Sequence, residues 1–205
     1  MSGRFGPFAR RAAGFVAVVA VLALAVSACG SAMPTSAPLF TSVPIGPTPW
    51  PNGTTGQYGL RIDPSLLRRL PIAVGGVALT EDAGTETVVL DDPDIAKTVQ
   101  SFAAAMAGDI LSTDFVGVEI LQFKPEDQTP DAYASWIDSF AFQACSQSDG
   151  VGDSSTETIG SWTVDVSACN GGVNVYSLSL GNGQYLSAFG NGPKDLGRLL
   201  IANLH

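Results

Sequence analysis

From residue 30 to residue 60 the chain carries no charged side chain, and Pro34, Pro38, Pro44, Pro47, Pro49 and Pro51 fall among Ser, Thr and Gly. Such a stretch cannot bury enough apolar surface to offset the entropy of ordering it, so it reads as a tether. Folding is thereby confined to the residues C-terminal to it. Charge returns at Arg61, and residues 61–205, about 145 of them, suffice for one core of ordinary size. If extended at about 3.1 Å per residue the tether reaches on the order of 90 Å, and less as a flexible mixture. Its role is clearance. Asn52-Gly53-Thr54 matches the N-glycosylation pattern, although Thr and Ser beside proline are the better sugar acceptors.

Ahead of the tether, Arg4, Arg10 and Arg11 precede an uncharged apolar run over residues 12–26, closed by Val26-Ser27-Ala28-Cys29. That order is a positive n-region, a short h-region and a small-residue cleavage site, the plan of an export signal. With a cysteine directly after the small residues, the segment resembles the lipobox of bacterial lipoproteins. The resemblance covers about the first 30 residues. It implies that the Cys29 thiol receives a diacylglycerol, that residues 1–28 are a signal peptide cut before it, and that Cys29 heads the mature chain. Two acyl chains, diacylglycerol or palmitate among them, on one cysteine meet the two-signal requirement for stable anchoring, where one chain would be marginal. The implied location is the outer face of the cell membrane. The competing reading is an uncleaved signal anchor with an incidental cysteine. It needs roughly 20 apolar residues, and the run falls short.

Loss of the signal removes three of the ten basic residues, leaving seven against 19 acidic ones, a net −12. Such a charge repels nucleic acid and anionic headgroups alike, because both require compensating Lys or Arg, so a nucleic-acid partner is excluded. No later stretch approaches the length of a membrane span, so the membrane is met through lipid alone.

Of the three cysteines, Cys29 is assigned to lipid. Cys145 and Cys169 remain as an even pair outside the cytoplasm, where a disulfide is favoured. It closes a loop of about 25 residues, worth roughly 3–3.5 kcal/mol in the chain-entropy model. A redox or metal role lacks support, because there is no CxxC spacing and the one histidine is His205. No cofactor is expected.

Local patterns give the element order. Asp63-Pro64-Ser65 opens a short helix carrying Leu66, Leu67 and Leu70, with Arg68 and Arg69 outward and Pro71 as its stop. Residues 72–80 read as an irregular strand bent at Gly75-Gly76, and residues 86–90 as a second short strand. Asp91-Asp92-Pro93-Asp94 offers three carboxylates to a hard cation such as calcium. The same residues are also a standard helix start, and no twelve-residue loop with a terminal glutamate follows. Ile95, Val99, Phe102 and Met106 then fall on one helical face, ending at Gly108. Residues 115–123 make a strand covered on both faces, with Val116, Val118 and Ile120 on one and Phe115, Leu121 and Phe123 on the other. Glu119 interrupts it and reads as an edge or salt-bridged residue before it reads as a catalytic acid.

Thr129-Pro130-Asp131 begins a second helix whose stripe is Tyr133, Trp136, Ile137 and Phe140, extended by Ala144 and ending at Cys145. At helical spacing the stripe is core before it is a ligand pocket. Residues 146–155 read as a polar loop. The period then falls to two. Trp162, Val164, Val166 and Ala168 alternate with polar residues, and Asn170-Gly171-Gly172 turns the chain into a strand over 173–180. Gly181-Asn182-Gly183 leads to a third strand over 184–189, and Pro193 and Asp195 open a last helix bearing Leu196, Leu199, Leu200 and Leu204. The expected class is α+β, a mostly antiparallel sheet with helices packed on it, as a two-layer or α/β/α sandwich. Ile159-Gly160-Ser161-Trp162-Thr163-Val164-Asp165-Val166, the cysteine after it and the Leu-rich closing helix resemble small secreted or lipid-anchored actinobacterial proteins without an assigned activity. That resemblance implies no site residues.

The chemistry is bounded by the motifs the chain lacks. Without an earlier histidine there is no Ser-His-Asp triad, Cys-His pair or HExxH site, and no SxxK, GxxxxGK or GxGxxG occurs. A carboxylate pair of the glycosidase kind survives, although sequence singles out no two acids. Two function classes remain. One is a non-catalytic binding module of the cell envelope, whose partner is an envelope protein, a cell-wall component or a small amphiphile. The other is an envelope glycan hydrolase working through paired carboxylates. A closed apolar cavity would point to an amphiphile carrier, and an open cleft with two carboxylates about 5–9.5 Å apart to the hydrolase.

Overall fold

The computed structural model of the protein describes residues 53–108 and 113–205. Residues 53–60 belong to the fold, so the boundary expected at Arg61 lies at least eight residues earlier. The Gly56 N–H donates to the Leu60 carbonyl at 2.8 Å, the Ile62 N–H to the Thr54 carbonyl at 2.8 Å, and Leu60 is fully buried. Lack of charge marked this stretch as tether, yet charge is not needed for a turn that hides one leucine. The rest of the expected tether and the signal peptide lie outside the described residues.

Strand β1 (Arg61–Ile62) leads into a 3-10 helix, Pro64–Arg69, whose first turn is held by the Ser65 N–H donating to Asp63 Oδ1 at 3.1 Å. Strands β2 (Ala73–Val74) and β3 (Val77–Glu81) form a tight hairpin. Gly75 and Gly76 supply the two positive φ angles, 56° and 82°, that such a turn demands. Where a strand was expected over 86–90 the chain makes helix α1 (Ala83–Leu90), capped by Asp82 through the Thr85 N–H at 3.1 Å. The strand reading rested on the Val88-Val89-Leu90 run and overlooked an Asp N-cap three residues ahead of Thr85.

The helix expected over 95–106 stops after one turn. Helix α2 is Ile95–Thr98, and strand β4 (Val99–Ala107) takes over. Spacing of Ile95, Val99, Phe102 and Met106 fits a helical face, and a run of alanines has high helix propensity. Tertiary context overrides both. β4 lies inside the sheet, where Ala103, Ala105 and Ala107 meet one core and Phe102 and Ala104 the other.

Strand β5 (Phe115–Phe123) pairs with β4 along its length, as its two apolar faces required. Helix α3 (Pro130–Cys145) starts at Thr129, whose Oγ1 accepts from the Ala132 N–H at 3.2 Å. The expected loop over 146–155 is a correction: from Val151 onward it is strand β6 (Val151–Ile159). Strands β7 (Trp162–Cys169), β8 (Asn174–Gly181) and β9 (Gln184–Asn191) complete a four-stranded meander where three strands were expected. Helix α4 (Leu196–Ala202), capped by Asp195, closes the chain.

The sheet runs β2-β3-β4-β5-β9-β8-β7-β6, antiparallel throughout, with β1 added in parallel beside β4. α3 carries the chain from the middle of the sheet to its far edge. Its 16 residues span about 24 Å, which covers the four strand spacings, roughly 19 Å, from β5 to β6. Two large sets of buried side chains result, and a third, smaller one holds Phe140, Ala141 and Cys145 of α3 against Cys169 and Val175. Val118, Ile120, Leu178 and Leu186 pack with Leu66 and Leu70 of the 3-10 helix and with Leu196, Leu200 and Ile201 of α4. Leu121, Phe123 and Tyr185 pack with Val89 and Leu90 of α1 and with Tyr133 and Trp136 of α3. The fold is a mostly antiparallel sheet with a few helices.

Candidate functional site

Three places on this scaffold carry side chains with chemistry beyond packing: an acidic corner, a polar row beneath α3, and a depression beside the 3-10 helix. Cys29, the expected lipidation site, lies outside the described residues.

The acidic corner forms where β3 ends and α1 begins. On this side of β4, β3 pairs as far as Ala105 and β1 resumes at Phe102. The Ala104 amide between them has no strand partner. Glu86 fills the gap, its Oε1 accepting from the Ala104 N–H at 3.1 Å, while the Asp82 N–H donates to the Ala104 carbonyl at 2.9 Å. Glu86 is therefore a backbone surrogate, and it is buried. Burial pushes its carboxyl up to about 7. The Ala104 N–H opposes this rise, and Glu81 and Asp82 add to it.

Glu119 lies opposite Ala104 on β5 and faces the same side of the sheet. It is neither an edge residue nor salt-bridged among the described residues, which corrects the expectation. It sits half-buried on an interior strand, and burial, assisted by the Asp82 charge, raises its carboxyl to about 7. The reason is register. Position 119 falls on the α1 and α3 face between Gly117 and Leu121, so the carboxylate enters the fold with its strand.

From Glu119 a row of polar side chains continues across the sheet through registered neighbours: Ser187, Ser177, Asp165 and Thr156. Trp136 Nε1 donates to Ser187 Oγ at 3.0 Å, and the Ser187 and Ser177 hydroxyls lie 3.2 Å apart. Tyr133 and Thr156 donate to the two oxygens of Asp165 at 3.2 and 3.1 Å. Burial and the Asp165 charge push the Tyr133 phenol well above its usual range. The row gives α3 a fixed register on the sheet. Its rings fill the intervening space: Tyr133 stacks on Tyr185 at 4.7 Å, and Phe123 meets Tyr185 at 4.5 Å and Trp136 at 6.3 Å. The aromatic stripe is core.

Cys145 and Cys169 are joined, their Cα atoms 5.2 Å apart, pinning the end of α3 to the end of β7. Asp91, Asp92 and Asp94 serve the backbone and a lysine. Asp92 Oδ1 accepts from the N–H groups of Asp94 (2.7 Å) and Ile95 (3.1 Å), Asp91 accepts from the Gln57 N–H, and Asp94 pairs with Lys97. Among the described residues no cluster of His, Cys, Asp and Glu is arranged to hold a metal ion, and no helix is long and apolar enough to cross a membrane.

The depression is an open concavity of about 280 Å³ lined by Ser65, Leu66, Arg68, Arg69, Gln184 and His205. It joins the 3-10 helix to the start of β9, with the His205 N–H donating to the Arg69 carbonyl at 3.1 Å. Sequence reasoning placed Arg68 and Arg69 outward and took them no further. Two adjacent arginines in so acidic a chain were the signal available. Glu86 was missed outright, since its role depends on a gap between two strands that local sequence does not display.

Comparison with family models, with curated proteins and with solved structures finds no match.

Proposed function

We propose that this chain is a lipid-anchored envelope lipoprotein whose folded part works by binding, without catalysis. The anchor rests on Val26-Ser27-Ala28-Cys29 behind an Arg-bearing apolar segment. The binding role rests on one observation, the open edge of β6. Among the described strands that nine-residue element pairs only with β7, and it is exposed from Val151 to Thr156. The opposite edge of the sheet is the two-residue β2. A long open edge presents unpaired N–H and C=O groups to an extended partner segment, and natural sheets usually cover or shorten such edges. Asp153 on the edge and the net −12 favour a neutral or basic segment of an envelope protein.

The two carboxyls raised toward neutrality support the same reading. Glu86 completes β4, and Glu119 belongs to the row beneath α1 and α3, so neither stands in an open cleft as a hydrolase requires. The two sets of packed side chains favour the α/β/α sandwich over the two-layer form. An amphiphile carrier is disfavoured because the α3 interface is filled by its rings.

The anchor is tested by growing cells expressing the full chain with labelled palmitate. The wild type takes up label and sediments with membranes, whereas Cys29→Ala loses both. Label entering Cys29→Ala at the wild-type level would contradict the assignment.

A further inference from the structure

We propose that Arg68, Arg69 and Gln184 form a subsite for a phosphate-bearing ligand in the depression beside the 3-10 helix. The proposal rests on the binding-module reading and gives that module a second ligand class, distinct from the segment at β6.

The argument begins with how cations are used in residues 61–205. Seven are present. Arg61 pairs with Asp63, Lys97 with Asp94, Lys194 with Asp114, and Arg198 with Glu157 and Asp195. Lys124 donates to the carbonyls of Ala96 and Lys97 at the end of α2. Arg68 and Arg69 alone have no carboxylate or carbonyl partner among the described residues, although acids outnumber bases by 19 to seven. The carboxylate nearest in sequence, Asp63, is already engaged by Arg61 and by the Ser65 hydroxyl and N–H. Arg68 and Arg69 both line the same depression.

A second observation points to the same place. Gln184 lines the depression too, and its Oε1 is buried without a hydrogen-bond donor among the described residues. A buried amide end that lacks a partner is costly, and a ligand removes the cost. Turned about its last torsion, an assignment set by its partners, the Gln184 amide presents NH2 in place of the oxygen. A ligand with both oxygens and a hydroxyl satisfies either orientation. Guanidiniums match phosphate oxygens in planar, two-pronged geometry, where an ammonium would act as a point charge. The concavity is just below the usual range for drug-sized ligands. It suits a compact phosphate ester, such as a glycerophosphate, whether free or as a lipid headgroup.

The test uses the full chain, purified in uncharged detergent, with sodium glycerol phosphate as the probe at constant ionic strength. Its readout is the arginine side-chain N–H signals. In the wild type these signals shift saturably with glycerol phosphate, and less with acetate. In Arg68→Ala/Arg69→Ala, binding weakens by about tenfold or more, as expected from losing charge-assisted hydrogen bonds. Arg68→Lys/Arg69→Lys keeps the charge and falls between the two. Repeating the titration in phosphatidylglycerol discs separates the sources. A blunted response means that the headgroup already fills the site, and an unchanged one means that a free ester is the ligand. No saturable response in the wild type, an equal response in the Ala variant, or equal binding of acetate would overturn the proposal. Each of these leaves binding at β6 untouched, so the subsite and the module fail separately.

Discussion

Glu86 takes the place of a missing strand. One carboxyl oxygen satisfies the Ala104 amide where β3 has ended and β1 has not begun, and burial raises the carboxyl to about 7. The consequence is a pH dependence of unusual sign for a carboxylate. A carboxyl bound to its proton more tightly in the folded chain stabilises the fold fully below its unfolded value near 4.5. That contribution is lost as pH rises through about 7. Stability should therefore fall between pH 5 and pH 8 through Glu86, with Glu119 adding in the same direction. Glu86→Gln keeps an oxygen for the Ala104 N–H and has no charge to bury. Urea midpoints at the two pH values should differ less in Glu86→Gln than in wild type, with the variant more stable at pH 8. A wild type more stable at pH 8 than at pH 5, with no change in the variant, would contradict this account.

At the scale of elements, the disulfide and the polar row hold α3 by its two ends. The Thr129 cap and Tyr133 fix its start, and Cys145 ties its last residue to β7. Cys145→Ser/Cys169→Ser should lower unfolding stability by about 2–4 kcal/mol. Hydrogen exchange should rise most in the last turns of α3 and at the end of β7. Uniform loosening across the sheet would deny the local role. Strands with a clear period of two and helices with both a stripe and a cap were legible in sequence: β5, α3, β7 and α4 stand where they were expected, as does the pairing of Cys145 with Cys169. Two others were hidden for opposite reasons. β4 is rich in alanine because both of its faces are covered, so its composition imitates a helix. β6 has no covered face over most of its length, so Gly152-Asp153-Ser154-Ser155 imitates a loop. Strand identity in both comes from neighbours that local sequence does not show. The candidate sites were less legible still, since Glu86 depends on a gap in pairing and Arg68 and Arg69 on where the other cations go.

At the scale of the molecule, the two carboxyls raised toward neutrality lie within the fold, while among the described residues the surface presents an open strand edge and an arginine pair without a carboxylate partner. A binding module on a tether samples many partner positions from one anchor point. Its acidic surface should make encounter with a basic partner slow as salt rises. The most direct measurement incubates the full chain with envelope extracts and tracks saturable retention and chemical change together. Three proteins are compared: wild type, Ser155→Lys/Thr158→Lys on the exposed edge, and Glu86→Gln/Glu119→Gln in the acidic corner. The account predicts saturable retention with material recovered unchanged, lost in the edge variant and kept in the corner variant. Reproducible cleavage of a glycan or ester by wild type, abolished in a folded Glu86→Gln/Glu119→Gln protein, would contradict it.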